Sequence, residues 1–105
     1  MKTVLDISRD KEDKYTVLSV SGRVDTMTSP ELQNVILAEF REDKFLILDL
    51  SGVEYVSSAG LRALLIGHKT AVSKDGEMIL RGVNPGVMSV LDSVGFTAIL
   101  TIRSS

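Results

Sequence analysis

Asp49-Leu50-Ser51-Gly52-Val53-Glu54-Tyr55-Val56-Ser57-Ser58-Ala59-Gly60-Leu61-Arg62-Ala63-Leu64-Leu65 is the stretch that decides the reading of this chain. The apolar run that leads into it, Phe45–Leu50, has the length and composition of a buried strand. A short loop follows, and then a helical pattern with Leu61, Leu64, Leu65, His68 and Val72 on one face. Two adjacent serines, Ser57 and Ser58, stand between strand and helix. A strand that ends in a polar loop and re-enters a helix is a common place for a site in an α/β protein. The first turn of a helix carries unpaired N–H groups and a partial positive charge, which favour a phosphate. The same position is where serine commonly serves as an N-cap. One serine of the pair can cap while the other faces water, and the spacing leaves open which does which.

Working outward toward the C-terminus, the helix should run from about Ser58 to Ser73, with Lys69 and Lys74 near its negative end. Asp75-Gly76 is a turn, and Glu77–Arg81 is a strand through Met78, Ile79 and Leu80. Phe45 to Arg81 is thus one βαβ unit, which requires parallel strands. Asn84-Pro85 opens a third helix with Val87, Val90, Leu91 and Val94 inward, and Gly95 stops it. Ala98–Ile102 reads as a last strand, followed by a frayed Arg103-Ser104-Ser105.

Toward the N-terminus, Phe45–Leu50 is apolar almost without interruption, which suggests a central strand covered on both faces. Asp49 is either a site residue or a carboxylate that pins the following loop through its N–H groups, and the second is the favoured reading. Before it, Ser29 is the expected N-cap and Pro30 the first residue of a helix to about Arg41, with Leu32, Val35, Ile36 and Phe40 at helical spacing. Asp25–Ser29 is a polar loop. Met27 inside it is either an exposed contact or a staple against the helix, and the staple is the favoured reading. Tyr15–Ser21 is a strand that Gly22 ends by supplying a positive φ or a close backbone approach. Thr3–Ser8 is a first strand, and the charged run Arg9–Lys14 is either a docking patch or, the favoured reading, a solvated turn between strands.

The 105 residues are expected to form a single domain, residues 1–105, with 44% apolar residues to build a small core. A net charge of −2 gives no basic surface for nucleic acid or an anionic membrane. With no cysteine there is no disulfide and no thiol nucleophile, in keeping with a reducing compartment. Met1-Lys2-Thr3-Val4-Leu5-Asp6 lacks a long apolar signal core, and no apolar run has the length to span a bilayer. The chain shows no Walker loop, dinucleotide fingerprint or paired-histidine signature, and it has one histidine, His68, best read at the edge of the packed face. The expectation is therefore a cytoplasmic protein that is not an enzyme and carries no cofactor or metal, on which other proteins perform chemistry.

The central stretch resembles the STAS domain, shared by bacterial anti-sigma factor antagonists and the tails of sulfate transporters. The family pattern is an apolar strand ending Asp-Leu-Ser-x-Val, a short loop, then Asp/Ser-Ser-Ser/Ala-Gly-Leu and a leucine-rich helix. Here it reads Asp49-Leu50-Ser51-Gly52-Val53, then Ser57-Ser58-Ala59-Gly60-Leu61, then Leu64-Leu65. A second match, Gly22-Arg23-Val24-Asp25, precedes a helix opening Ser29-Pro30-Glu31-Leu32. The resemblance implies an α/β fold, a mixed and mostly parallel sheet of about five strands with helices packed against it.

It also implies a function. In antagonists of the family the serine two positions before the glycine is phosphorylated, which maps onto Ser58. Many members have Asp directly before that serine. This chain has Ser57 there, which makes Ser57 the alternative acceptor. The implied partners are an anti-sigma factor that is also a serine kinase, and a serine phosphatase. The unphosphorylated form would sequester the former and the phosphorylated form would release it. The implied contact surface is Asp25, Thr26, Met27, Thr28, Ser29, Ser57 and Ser58. Other roles within the family are a STAS component of a larger signalling assembly and a STAS accessory domain of a lipid-transport ATPase.

Overall fold

The run Phe45–Leu50 places Leu46, Leu48 and Leu50 on one face of a strand and Ile47 and Asp49 on the other. The computed structural model, which describes residues 5–103, builds its sheet around that strand. The strands are β1 (Asp6–Glu12), β2 (Tyr15–Val24), β3 (Phe45–Val56), β4 (Glu77–Arg81) and β5 (Thr101–Arg103), in the spatial order β1-β2-β3-β4-β5. β1 and β2 are antiparallel, and the other three pairings are parallel. Parallel neighbours need crossovers, and α1 (Ser29–Glu42), α2 (Ser58–Ser73) and α3 (Pro85–Ser93) supply them. The mixed, mostly parallel α/β sheet expected from the sequence is present.

β3 is central, but helices cover only one of its faces. Leu46, Leu48 and Leu50 join Leu18, Val20 and Leu80 of the neighbouring strands and Leu32, Ile36, Phe40, Leu64 and Leu91 of the helices in the main core. On the other face Ile47 is buried between Val17 and Ile79, with Tyr15 packed beside them and no helix of the described residues above. Tyr15 packs against this cluster and stands edge-on to Phe45 with ring centroids 5.8 Å apart, and the Lys14 ammonium lies 4.4 Å from the centroid of the Phe45 ring. The uninterrupted apolar run thus reflects two buried faces of which only one is helical.

Several boundaries move. The part of the first strand read at Thr3–Val4 lies outside the described residues. The charged run Arg9–Lys14 is not a turn: β1 continues through Glu12, and Asp13-Lys14 alone makes the turn, with Asp13 at φ 54°. The charges are used by the strand. Arg9 Nε donates to Glu39 Oε2 at 2.6 Å and Lys11 Nζ to Asp43 Oδ2 at 3.1 Å, tying edge strand β1 to α1. Gly22 takes a positive φ (119°) without ending β2, which runs to Val24 through register shifts. The loop expected after Leu50 is strand as far as Val56. Gly52 permits this, because a Cβ there would sit 2.4 Å from that of Ser21. The expected strand Ala98–Ile102 is a 3-10 turn at Phe96–Ala98 followed by β5, which includes Arg103. In α3 Val87 and Leu91 are buried, whereas Val90 and, at the C-cap, Val94 are exposed.

The packed face of α2 also differs from the expected one. Gly60, Leu61, Ala63, Leu64, Gly67 and Ala71 are buried. A Cβ on Gly67 would stand 2.8 Å from Met78 Sδ and 3.0 Å from Ile36 Cγ2. Leu61 and Leu64 are on the packed face and His68 is half-buried at its edge, as expected, but the small residues let the helix lie close to the sheet, and that leaves Leu65 only half-buried and Val72 exposed. Hydrophobicity alone selects the large side chains; close approach selects the small ones.

Leu64→Ala should therefore cost about 2–5 kcal/mol, and Leu65→Ala only about 1 kcal/mol, by urea denaturation. Equal losses would contradict the packed face described. Asp43 supplies a second test. Its carboxyl is lowered to about 2, first by the Lys11 ammonium and then by the Lys44 N–H and the Thr16 hydroxyl. Its unfolded value is about 3.9, so its contribution to stability is full above that pH and is lost as pH falls toward 2. Asp43→Asn should flatten the dependence of unfolding free energy on pH in that window. An unchanged acid limb would contradict this.

Candidate functional site

Because β2 and β3 are parallel neighbours, their C-terminal ends emerge side by side, with Val24 paired to Val56. The chain leaving β2 forms the Asp25–Thr28 loop into α1, and the chain leaving β3 enters α2 through Ser57. Ser57 N–H donates to the Val24 carbonyl at 2.8 Å and joins the two exits.

Ser57 is the N-cap of α2. Its backbone is extended, and its hydroxyl oxygen accepts from Gly60 N–H at 3.3 Å. Ser58 is the first helical residue and is exposed. The division of labour that the sequence left open is thereby resolved in structural terms: Ser57 caps and Ser58 faces solvent. The first turn of α2 contains no acidic side chain, so the positive helix end has no carboxylate of its own there. Gly60 is required by contact. A Cβ on it would lie 2.7 Å from Val24 Cγ1 and 2.8 Å from Val56 Cγ1, so the start of α2 could not settle against both strand ends.

The neighbouring loop is ordered by Asp25. Its Oδ1 accepts from Met27 N–H at 2.9 Å and Thr28 N–H at 3.0 Å. The Thr28 hydroxyl accepts from Asp25 N–H at 2.9 Å and lies 2.6 Å from the Arg23 carbonyl, to which it donates. The N–H groups of Thr28 and Met27 hold the Asp25 carboxyl below its usual range against a smaller opposing effect of desolvation. The N-cap of α1 is Thr28, not Ser29, and its side chain makes no cap bond because it is turned back into the loop. Ser29 is already helical and Pro30 follows it.

Of the loop residues expected at a contact surface, Thr26 and Met27 are exposed and Asp25 is half-buried. Thr28 and Ser29 are buried, so they shape the loop rather than face a partner. Met27 is 83% exposed, which overturns the staple reading: the turn closed by Asp25 carries its side chain outward.

Asp49 pins its loop as expected, with Oδ1 accepting from Ser51 N–H at 3.0 Å and from the Ser51 hydroxyl at 2.7 Å. The sequence reading missed its other partner, Arg81, whose Nε donates to Oδ2 at 3.0 Å from the adjacent parallel strand. Burial pushes the Asp49 carboxyl up, but Ser51 and Arg81 together outweigh it and hold it below the usual range. This cluster lies on the helix-free face of the sheet, away from the serine pair. Also missed was Arg23, whose guanidinium lies 4.1 Å from the centroid of the Tyr55 ring and 3.9 Å from Asp25 Oδ2. Only the β2–β3 register, which pairs Arg23 with Tyr55, reveals this stack.

A mixed α/β sheet with all its helices on one face, and with two parallel strand ends presenting a capped serine pair beside an aspartate-ordered loop, defines a narrow structural class. The family profile described as STAS domain matches residues 6–105. The chain belongs to the STAS domain family. It is similar to the anti-sigma-B factor antagonist of Staphylococcus aureus, 29% identical over 102 residues that cover 94% of this chain and 93% of the relative. It is also similar to BtrV of Bordetella bronchiseptica, a candidate anti-sigma factor antagonist, 28% identical over 102 residues covering 96% and 88%. Among solved structures it resembles an anti-sigma factor antagonist from Mycobacterium paratuberculosis, with a TM-score of 0.84, 25% identity and coverage of 94% and 85%.

The two serines should separate in a stability measurement. Ser57→Ala removes a cap and should cost about 0.5–2 kcal/mol, whereas Ser58→Ala should stay within about 0.5 kcal/mol of wild type. Gly60→Ala should cost about 1–3 kcal/mol through overpacking against Val24 and Val56. Chemical denaturation of the three variants checks this, and a larger loss for Ser58→Ala than for Ser57→Ala would reverse the assignment of the cap.

Proposed function

We propose that this protein is an anti-sigma factor antagonist regulated by phosphorylation at Ser58. The observation that carries the reading is the exposure of Ser58 directly after a serine that already satisfies the helix cap. Its hydroxyl is free of a structural duty and stands at the positive end of a 16-residue helix. The names of the relatives supply the class of partner. Those names extend to an anti-sigma factor; that it is also a serine kinase, with a serine phosphatase reversing its action, is part of the proposed reading. The chain itself is the substrate of this chemistry and not the enzyme. No described helix is long and apolar enough to cross a membrane.

The mechanism is local electrostatics. Unmodified, the surface of Thr26, Met27, Ser57 and Ser58 with the ordered carboxylate of Asp25 binds the partner. Phosphoserine adds about −1.5 to −2 charges near neutral pH. The isolated domain tolerates that charge at a helix N-terminus, where N–H groups point toward it. At an interface the same charge loses its water and sits near Asp25, and binding is opposed. Solved structures of SpoIIAA in its unphosphorylated and phosphorylated forms both share this fold, with TM-scores of 0.80 and 0.74 at 14% identity.

Ser58→Asp should keep or raise stability, by about 0.3–1 kcal/mol, because a carboxylate suits the helix start. It should nevertheless weaken the kinase complex by one or two decades, about 1.4–2.8 kcal/mol. Ser58→Ala should fold, bind and resist inactivation by the kinase and ATP. The paired measurement is thermal melting and partner affinity. Joint loss of both in Ser58→Asp would contradict the switch, and kinase labelling of Ser57 would move the acceptor by one residue.

A further inference from the structure

The exposed side of α2 does not end its story at Ser58. Ser58, Arg62, Leu65, Lys69 and Val72 follow one another at spacings of four, three, four and three residues. At 100° per residue they fall within a sector of about 80°, so they form one stripe along the helix. Ser58, Arg62, Lys69 and Val72 are exposed and Leu65 is half-buried. At the far end the stripe opens into a groove of about 530 Å³ lined by Leu65, His68, Lys69, Val72, Ser73 and Ile99. Val72 is 59% and Ile99 48% exposed, and they line the groove together rather than standing singly, with nothing among the described residues covering them.

We propose that this groove and stripe dock an acidic amphipathic helix of the protein partner that is engaged at Ser58. Charge selects this occupant. The 16 residues of α2 contain Arg62 and Lys69 and not one Asp or Glu, in a chain whose net charge is −2. A partner helix with leucine-type residues at heptad spacing would seat them over Leu65, Val72 and Ile99, and its flanking carboxylates would face Arg62 and Lys69. A second copy of this chain fits poorly, because a two-fold contact would set Arg62 and Lys69 against like charges. The stripe is continuous with Ser58, so a partner held there already has its end placed. The inference rests on the proposed function only for this shared end.

The test uses the full chain labelled with 15N. It is titrated with a synthetic helix of about 18 residues bearing Leu at heptad a and d positions and Glu beside them, and with its Lys-for-Glu counterpart. The acidic peptide should shift the amides of Leu65, Lys69, Val72 and Ile99, and the basic peptide should not. Lys69→Glu and Val72→Asp, both at exposed positions, should each weaken the acidic peptide by about tenfold while melting as wild type does. Absence of binding, equal binding of both peptides or shifts confined to the helix-free sheet face would overturn the proposal. So would concentration-dependent shifts of the same amides in the protein alone, which would assign the groove to a second copy. A kinase complex insensitive to Ser58→Asp would overturn the phosphorylation reading and leave the peptide result standing, so the two failures are distinguishable.

Discussion

The candidate site depends on the parallel pairing of β2 with β3. Strands that run in the same direction end on the same side, and here they end in register, Val24 beside Val56. The Ser57 N–H to Val24 carbonyl bond of 2.8 Å then fixes the start of α2 against the exit of β2. Gly60 makes the approach possible, since any Cβ would collide with both valines. An antiparallel pairing would send the aspartate loop and the serine pair to opposite ends of the sheet. The juxtaposition is a property of topology, and the individual residues refine it.

Within that frame the two loops carry opposite electrostatic duties. Asp25 spends its carboxylate on the N–H groups of its own loop, which shapes the entry to α1 and holds its acidity high. Glu31 in the first turn of α1 adds a second negative group there. The first turn of α2 has none, and its cap is a neutral hydroxyl. One helix start is therefore electrostatically complete and its neighbour is not. A charge added at Ser58 meets a helix end that favours it and, across the paired strand exits, a loop that already holds a carboxylate. Under the proposed function, this asymmetry is what would make a single modification harmless to the fold and consequential for binding.

Much of the fold was legible in the sequence, and the failures have physical reasons. The βαβ unit from Phe45 to Arg81 was readable because its strands are apolar, its helix is periodic and the Asp75-Gly76 turn separates them; the bounds of α2 and β4 came out as observed. The second half of the edge strand, Arg9–Glu12, was lost because Arg9 and Lys11 look like loop residues until Glu39 and Asp43 arrive from α1, more than 25 residues away in sequence. The face of α2 was misread because Gly60, Ala63, Gly67 and Ala71 carry little hydrophobic signal, although their smallness is what allows the close contact. At the site, the motif located the serine pair and the Asp25 loop, but not which serine caps. The stack of Arg23 on Tyr55 and the pair of Arg81 with Asp49 depend on strand register, which periodicity does not encode.

The central claim is that Ser58 can take a phosphate without the fold changing. The most direct measurement compares 15N–1H spectra and amide hydrogen exchange of the chain before and after stoichiometric phosphorylation by the kinase, with the acceptor mapped by fragmentation. The account predicts one phosphate on Ser58, shifts confined to the start of α2 and the adjoining Val24–Ser29 segment, and undiminished protection of the amides of β2, β3 and β4. Phosphate on another residue, or loss of protection spreading into the central strands, would contradict it.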